Sequence, residues 1–193
     1  MANVDWPRGL RPVRYLSGAP YSGARNRYYV PSTDTNAAVY VGGLVKLAGS
    51  ADADGIATVT GNVSTGNQVV GVVVAVEPVT ADSLVYRANS TARYVYVADD
   101  PNLLFAVQDD GAAALAATNV GMTADLTAFT SGSTTSGYSA IEISAATVTS
   151  SGDGTEDVLI VGLVSDPRNT FGVNADWLVR LNNHQFVDGA AGA

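Results

Sequence analysis

Short runs rich in Val, Tyr, Leu and Ile alternate along this chain with clusters of Gly, Asp, Asn, Ser and Thr, a rhythm that predicts strands joined by turns. Arg27–Val30 and Ala38–Val41 flank the polar turn Ser32–Asn36. Leu44–Leu47 and Ile56–Thr60 form a predicted hairpin through the loop Gly49–Gly55. Val69–Val76 is apolar on both faces and is expected to be central. In Arg93–Ala98, Tyr94 and Tyr96 alternate with Val95 and Val97, which gives the strand two distinct faces. Leu103–Val107, Met122–Phe129, Ser139–Ser144, Val158–Val164 and Trp177–Leu181 bring the total to about ten strands. Ala112–Ala117 is the one stretch expected to form a short helix, and Thr130–Ser136 and Thr147–Thr155 read as exposed loops. The fold class is therefore all-β.

An internal echo runs through the pattern. Val70-Gly-Val-Val73 leads to Glu77-Pro78, as Val161-Gly-Leu-Val164 leads to Asp166-Pro167, and Val41-Gly42 and Val120-Gly121 stand upstream of each. Two copies of one β unit closing a small barrel or sandwich would produce it, as would coincidence in a Val- and Gly-rich chain.

The first 26 residues break both periods. Pro7, Pro12, Pro20, Gly9, Gly18 and Gly23 interrupt them, yet Trp6, Leu10, Val13, Tyr15, Leu16 and Tyr21 are too many large apolar groups for a solvated tail. The division expected is an extended basic N-terminal arm, 1–26, followed by a β-rich globular domain, 27–193. Charge sharpens the division. Residues 1–30 hold Arg8, Arg11, Arg14, Arg25 and Arg27 against the single acid Asp5, a balance of +4 in a chain of net charge −8, so the remainder carries −12. Such an arm either packs back on its own acidic body or reaches a neighbouring subunit, where Arg and aromatic side chains are the usual anchors; the second course is favoured. The candidate contact residues are Trp6, Arg8, Arg11, Arg14, Tyr15, Tyr21, Arg25 and Arg27.

Composition excludes several classes of function. With 193 residues the chain suits one ordinary domain or two small ones. It has no cysteine, hence no disulfide and no thiolate site, and His184 is its only imidazole, which rules out an intrachain zinc site of two histidines. His184 lies in the polar cluster Asn182–Gln185 and reads as a hydrogen-bonded surface or interface residue rather than a base. No phosphate-binding glycine loop, dinucleotide fingerprint or G-x-S-x-G elbow occurs. The acidic pairs Asp52/Asp54, Asp99/Asp100, Asp109/Asp110 and Glu156/Asp157 read as turn residues. Neither a cofactor, a metal nor an enzymatic activity is expected. Net acidity argues against nucleic acid as a partner. The longest apolar run, Val69–Val76, falls far short of the roughly 20 residues of a membrane-spanning helix. The opening Met1-Ala-Asn-Val-Asp5 has no apolar stretch of signal-peptide type, so synthesis in a cytoplasm and no membrane partner are expected.

Three stretches carry a family resemblance. They are Arg8-Gly-Leu-Arg-Pro-Val13 with Leu16-Ser-Gly-Ala-Pro-Tyr21; Tyr86-Arg-Ala-Asn-Ser-Thr-Ala-Arg-Tyr-Val95 with Asp99-Asp-Pro101 and Phe105-Ala-Val-Gln108; and Val161-Gly-Leu-Val164 with Asn174-Ala-Asp-Trp-Leu-Val179 and Leu181-Asn-Asn-His184. The chain resembles capsid-associated structural proteins of tailed bacteriophages, in particular cement or decoration proteins. The resemblance implies a β-barrel or β-sandwich, jelly-roll or tulip-like, of short antiparallel strands. It further implies a homo-oligomer, dimer or trimer, on the capsid exterior of a virion assembled in a bacterial host. The major capsid protein would be its partner. The alternative is a carbohydrate- or receptor-binding β-sandwich of a phage tail or fibre, in which Tyr86, Tyr94 and Tyr96 would stack on sugar.

Overall fold

The computed structural model describes residues 3–152 and 154–187, so Met1, Ala2 and residues 188–193 of the expected arm and domain lie outside the described residues. Twelve strands are described: β1 Arg11–Tyr15, β2 Asn26–Val30, β3 Leu44–Ala51, β4 Ala57–Thr60, β5 Gly71–Val76, β6 Arg93–Ala98, β7 Leu103–Gln108, β8 Thr123–Ala124, β9 Leu126–Thr127, β10 Glu142–Ile143, β11 Val158–Leu163 and β12 Asp176–Leu181. The molecule is all-β.

The first half closes into a five-stranded barrel in the order β2-β4-β3-β5-β6. Alternation along the strands fills it. Tyr28 and Val30 from β2 point inward with Val45, Val59, Val73, Val95 and Val97, and all are buried. Their neighbours Arg27, Tyr29, Tyr94 and Tyr96 face outward. Small β-branched residues pack such a narrow interior without voids.

The second half repeats the scheme pair by pair. Its sheet runs β1-β7-β12-β11-β8, β9 pairs with β10, and a parallel bridge from Asp109 to Ile143 returns β10 to β7. In the first half β4 returns to β2 in the same way, through the parallel pairing of Tyr29 with Thr58. Val73 faces Val97 and a bulge precedes the pairing of Ala75 with Tyr96; likewise Ile160 faces Val179 and a bulge precedes Gly162 against Leu178. The Gly42 N–H donates to the Val73 carbonyl, and the Gly121 N–H to that of Ile160. The β unit is thus present twice. Its register differs from the sequence echo, since Val73 corresponds to Ile160 and the glycines at 71 and 162 are not equivalents. Along the strands of the two halves the correspondence continues with altered chemistry: Val30 is replaced by Asp109, and Val95 by Trp177.

The two halves share a seam. One hydrophobic cluster joins Leu44, Val69 and Val72 of the first half to Phe105, Leu126 and Ile160 of the second. The buried Asp157 carboxylate accepts the Gly66 N–H on one side and the Leu126 N–H on the other, each at 2.9 Å. His184 forms a parallel bridge with Val69 and is buried. The surface position expected for it is corrected here: the Val69 carbonyl accepts the Gln185 N–H and pulls this polar cluster into the seam.

Three expected elements change. Ala38–Val41 makes only single bridges, Val39 to Arg87 and Val41 to Tyr138, because the backbone turns at Gly42. Ala112–Ala117 is not a helix. Leu115 bridges Gly172 and is buried, and a 3-10 turn follows at Ala117–Asn119; an alanine run this short cannot offset helix nucleation. Met122–Phe129 splits at Asp125 into β8 and β9.

The opening segment lies along its own body. β1 pairs antiparallel with β7, Arg11 opposite Ala106 and Tyr15 opposite Leu103, and Leu10 is buried in the larger cluster. Gly9 and Gly42 make this approach possible. Both have positive φ, and a Cβ on Gly9 would collide with the Gly42 carbonyl oxygen, which accepts the Leu10 N–H at 2.9 Å.

Candidate interaction surface

Each arginine of the opening segment meets a different fate. The Arg11 guanidinium pairs with Asp176 at 2.9 Å. Arg27 makes two bonds to the Glu77 carboxylate, at 3.0 and 2.8 Å, while lying 3.6 Å over the Tyr94 ring. Those bonds, with the Tyr96 hydroxyl at 3.0 Å, hold the Glu77 carboxyl below its ordinary range. Arg8 stacks over Trp6 at 4.7 Å and Arg25 over Tyr96 at 4.9 Å, and neither forms an ion pair among the described residues. Arg14 is exposed.

The aromatic residues divide likewise. Trp6 is 63% exposed, its ring under the Arg8 guanidinium and its backbone N–H donating to the Gln108 side-chain oxygen at 2.8 Å. Tyr15 packs against the larger cluster. Tyr21, also packed there, donates its hydroxyl to the Ala24 carbonyl at 3.1 Å, and burial raises its pKa.

Of the eight candidate residues, Arg8, Arg11, Tyr21 and Arg25 come together around one groove of about 280 Å³, with Pro12, Val41 and Val74 on its floor. A second cleft of about 580 Å³ lies on the other side of Arg8 and Arg11, lined by Trp6, Gln108, Arg168 and Asp176. Tyr15 lines neither cleft, and Arg27 sits on the outer face of the first barrel. The Nε atoms of Arg8 and Arg11 are shielded from solvent and have no hydrogen-bond partner.

Sequence reasoning missed the buried charges. Arg87 is fully buried and donates to the carbonyls of Pro31, Asp34, Ala37 and Thr91 at 2.6–2.8 Å, tying the loop after β2 to the segment that leads into β6. Three of its four partners, the carbonyls of Pro31, Asp34 and Ala37, lie 50 or more residues away, and only Thr91 is local. Asp109 accepts four N–H groups, and only one of them, from Gly111, belongs to the turn it was expected to make. Asp52 fits its turn reading, accepting the N–H groups of Asp54 and Ile56. Among the described residues no group of three or more His, Asp or Glu is placed to hold a metal ion, and no helix is long and apolar enough to cross a membrane.

Glu142 is half-buried, and burial together with the like charges of Asp5, Asp110 and Asp109 pushes its carboxyl up to about 7 from an ordinary 4.5. A carboxyl that holds its proton more tightly when folded costs stability once it ionises. This contribution is absent below pH 4.5, grows as pH rises to 7, and is complete above that. Glu142→Gln is therefore expected to match the parent protein in thermal midpoint at pH 4 and to exceed it at pH 8. An equal difference at both pH values would exclude the titration of Glu142 as the cause.

Compared with known proteins, the chain matches no family model, no curated protein and no solved structure.

Proposed function

We propose that this protein is a structural component of a tailed-bacteriophage virion. It binds the outside of the capsid and bridges neighbouring capsomers as a homo-oligomer, with the major capsid protein as its partner. One observation carries the reading. In a chain of net charge −8, Arg8, Arg11, Arg25 and the exposed Trp6 border two adjacent clefts, with Arg8 and Arg25 left without acidic partners. Stable interfaces of this kind bury on the order of 2,000 Å² and draw their energy from Arg and aromatic anchors. The remaining acidic surface keeps closely spaced copies apart.

The sugar-binding alternative has less support. Guanidinium groups cover the rings of Tyr94 and Tyr96, their hydroxyls are bonded to Asp52 and Glu77, and Tyr86 stacks on Tyr40 at 4.9 Å. Stacking on sugar would require displacing those partners. Quantitative mass spectrometry of purified particles tests the proposal. The expected result is a copy number equal to, or a simple symmetric fraction of, that of the major shell protein. A handful of copies per particle, or none, would overturn it.

A further inference from the structure

The Arg-rimmed groove and a nearby loop have complementary chemistry, and we infer that they meet between two copies of this chain. Arg8, Arg11 and Arg25 stand around a floor of Pro12, Val41 and Val74, and no carboxylate lines the groove. Arg11 is held by Asp176, which leaves Arg8 and Arg25 as cations without a counter-charge. An occupant must therefore bring both apolar surface and a negative charge.

The loop Val79–Val85 offers that combination. Val79 is 73% exposed, Leu84 50% and Val85 54%. Asp82 between them is exposed, and its carboxylate makes no hydrogen bond or ion pair among the described residues. The loop has a defined shape, because the Ser83 hydroxyl accepts the N–H groups of Val79 and Thr80, each at 2.9 Å. Val79 and Leu84, held outward in this way, present apolar surface to solvent in a single copy. Loop and groove are also neighbours on the surface: Val85 abuts Gly137, and the next residue, Tyr138, lines the groove. That adjacency suits a closed assembly, in which each copy both inserts its loop and receives one.

The Val79–Val85 loop of one copy thus docks in the groove of the next, Asp82 facing Arg8 and Arg25. This inference rests on the proposed role only for its purpose, since the contact is formed by this chain alone. Sedimentation equilibrium of the purified full chain in about 0.1 M salt, where charges still act over about 10 Å, reads it directly. The expected result is a dimer or small ring, with association weakened about a hundredfold by reversal of either charge, Asp82→Arg or Arg25→Asp. The double variant Asp82→Arg with Arg25→Asp is expected to restore association. A monomeric parent protein, or single variants that associate like the parent, would overturn the contact. So would failure of the double variant to recover while both single variants stay folded. A monomer that still decorates particles in fixed ratio would remove this contact and leave the virion role standing.

Discussion

Removal of residues 1–15 is expected to lower unfolding stability by about 5 kcal/mol, a third or more of what a domain of this kind possesses. Leu10, buried to its tip, accounts for about 2–3 kcal/mol of that. Loss of β1 strips the edge of β7, and the deletion also removes the Arg11–Asp176 pair and the bonds of Trp6 and Val4 to Gln108. Phe105 and Leu103, now dry, would meet water along that edge. Urea denaturation of the shortened and full chains measures the difference. An unchanged midpoint would mean that the segment is an appendage, as its prolines and charge suggest when read without the fold.

Asp109→Ala is expected to cost about 3–5 kcal/mol, the range for stripping one partner from a buried, multiply bonded charge. Its carboxylate accepts the N–H groups of Asn174 at 2.7 Å, Ala175 at 2.9 Å and Gly111 at 3.1 Å, and the Trp177 indole N–H at 3.0 Å. Alanine would leave those donors without an acceptor around a void. Trp177→Phe removes one bond and some volume, and should cost less than half as much. Trp177 is buried whereas Trp6 is largely exposed, so the buried component of the fluorescence reports on the five-stranded sheet of the second half. Equal midpoints for Asp109→Ala and the parent would show that water satisfies these donors without loss.

The strands with the cleanest alternation were legible in the sequence. Arg93–Ala98 alternates buried and half-buried positions over most of its length, where a period of two is enforced by burial. β1 was not legible, because Pro12 and Gly9 erase the pattern; an edge strand tolerates proline, as its outer side need not donate. β8, β9 and β10 are two residues each, too short to show a period. The duplication left only a faint trace. Its inward positions changed chemistry, Val30 against Asp109 and Val95 against Trp177, while frequent Val-Gly pairs offered a false register. At the candidate surface, charge and aromatic content singled out the opening segment, and Arg8, Arg11, Tyr21 and Arg25 of it line one groove. Which arginines stay uncommitted depended on Asp176 and Glu77, acids that sequence distance hides.

The pairing of β1 with β7 also sets an order on the nascent chain. The first barrel uses only residues 26–98 and can close while the ribosome is still making the rest. β1 cannot: its partner strand begins at Leu103, and that strand's other neighbour, β12, ends at Leu181. Until β7 and β12 are made, Leu10 and Tyr15 therefore hang ahead of the first barrel without the sheet that covers them. On a crowded polysome, the first β7 that β1 meets belongs as readily to an adjacent nascent chain as to its own, so exchange of this strand between copies is the misassembly to which the fold is most open.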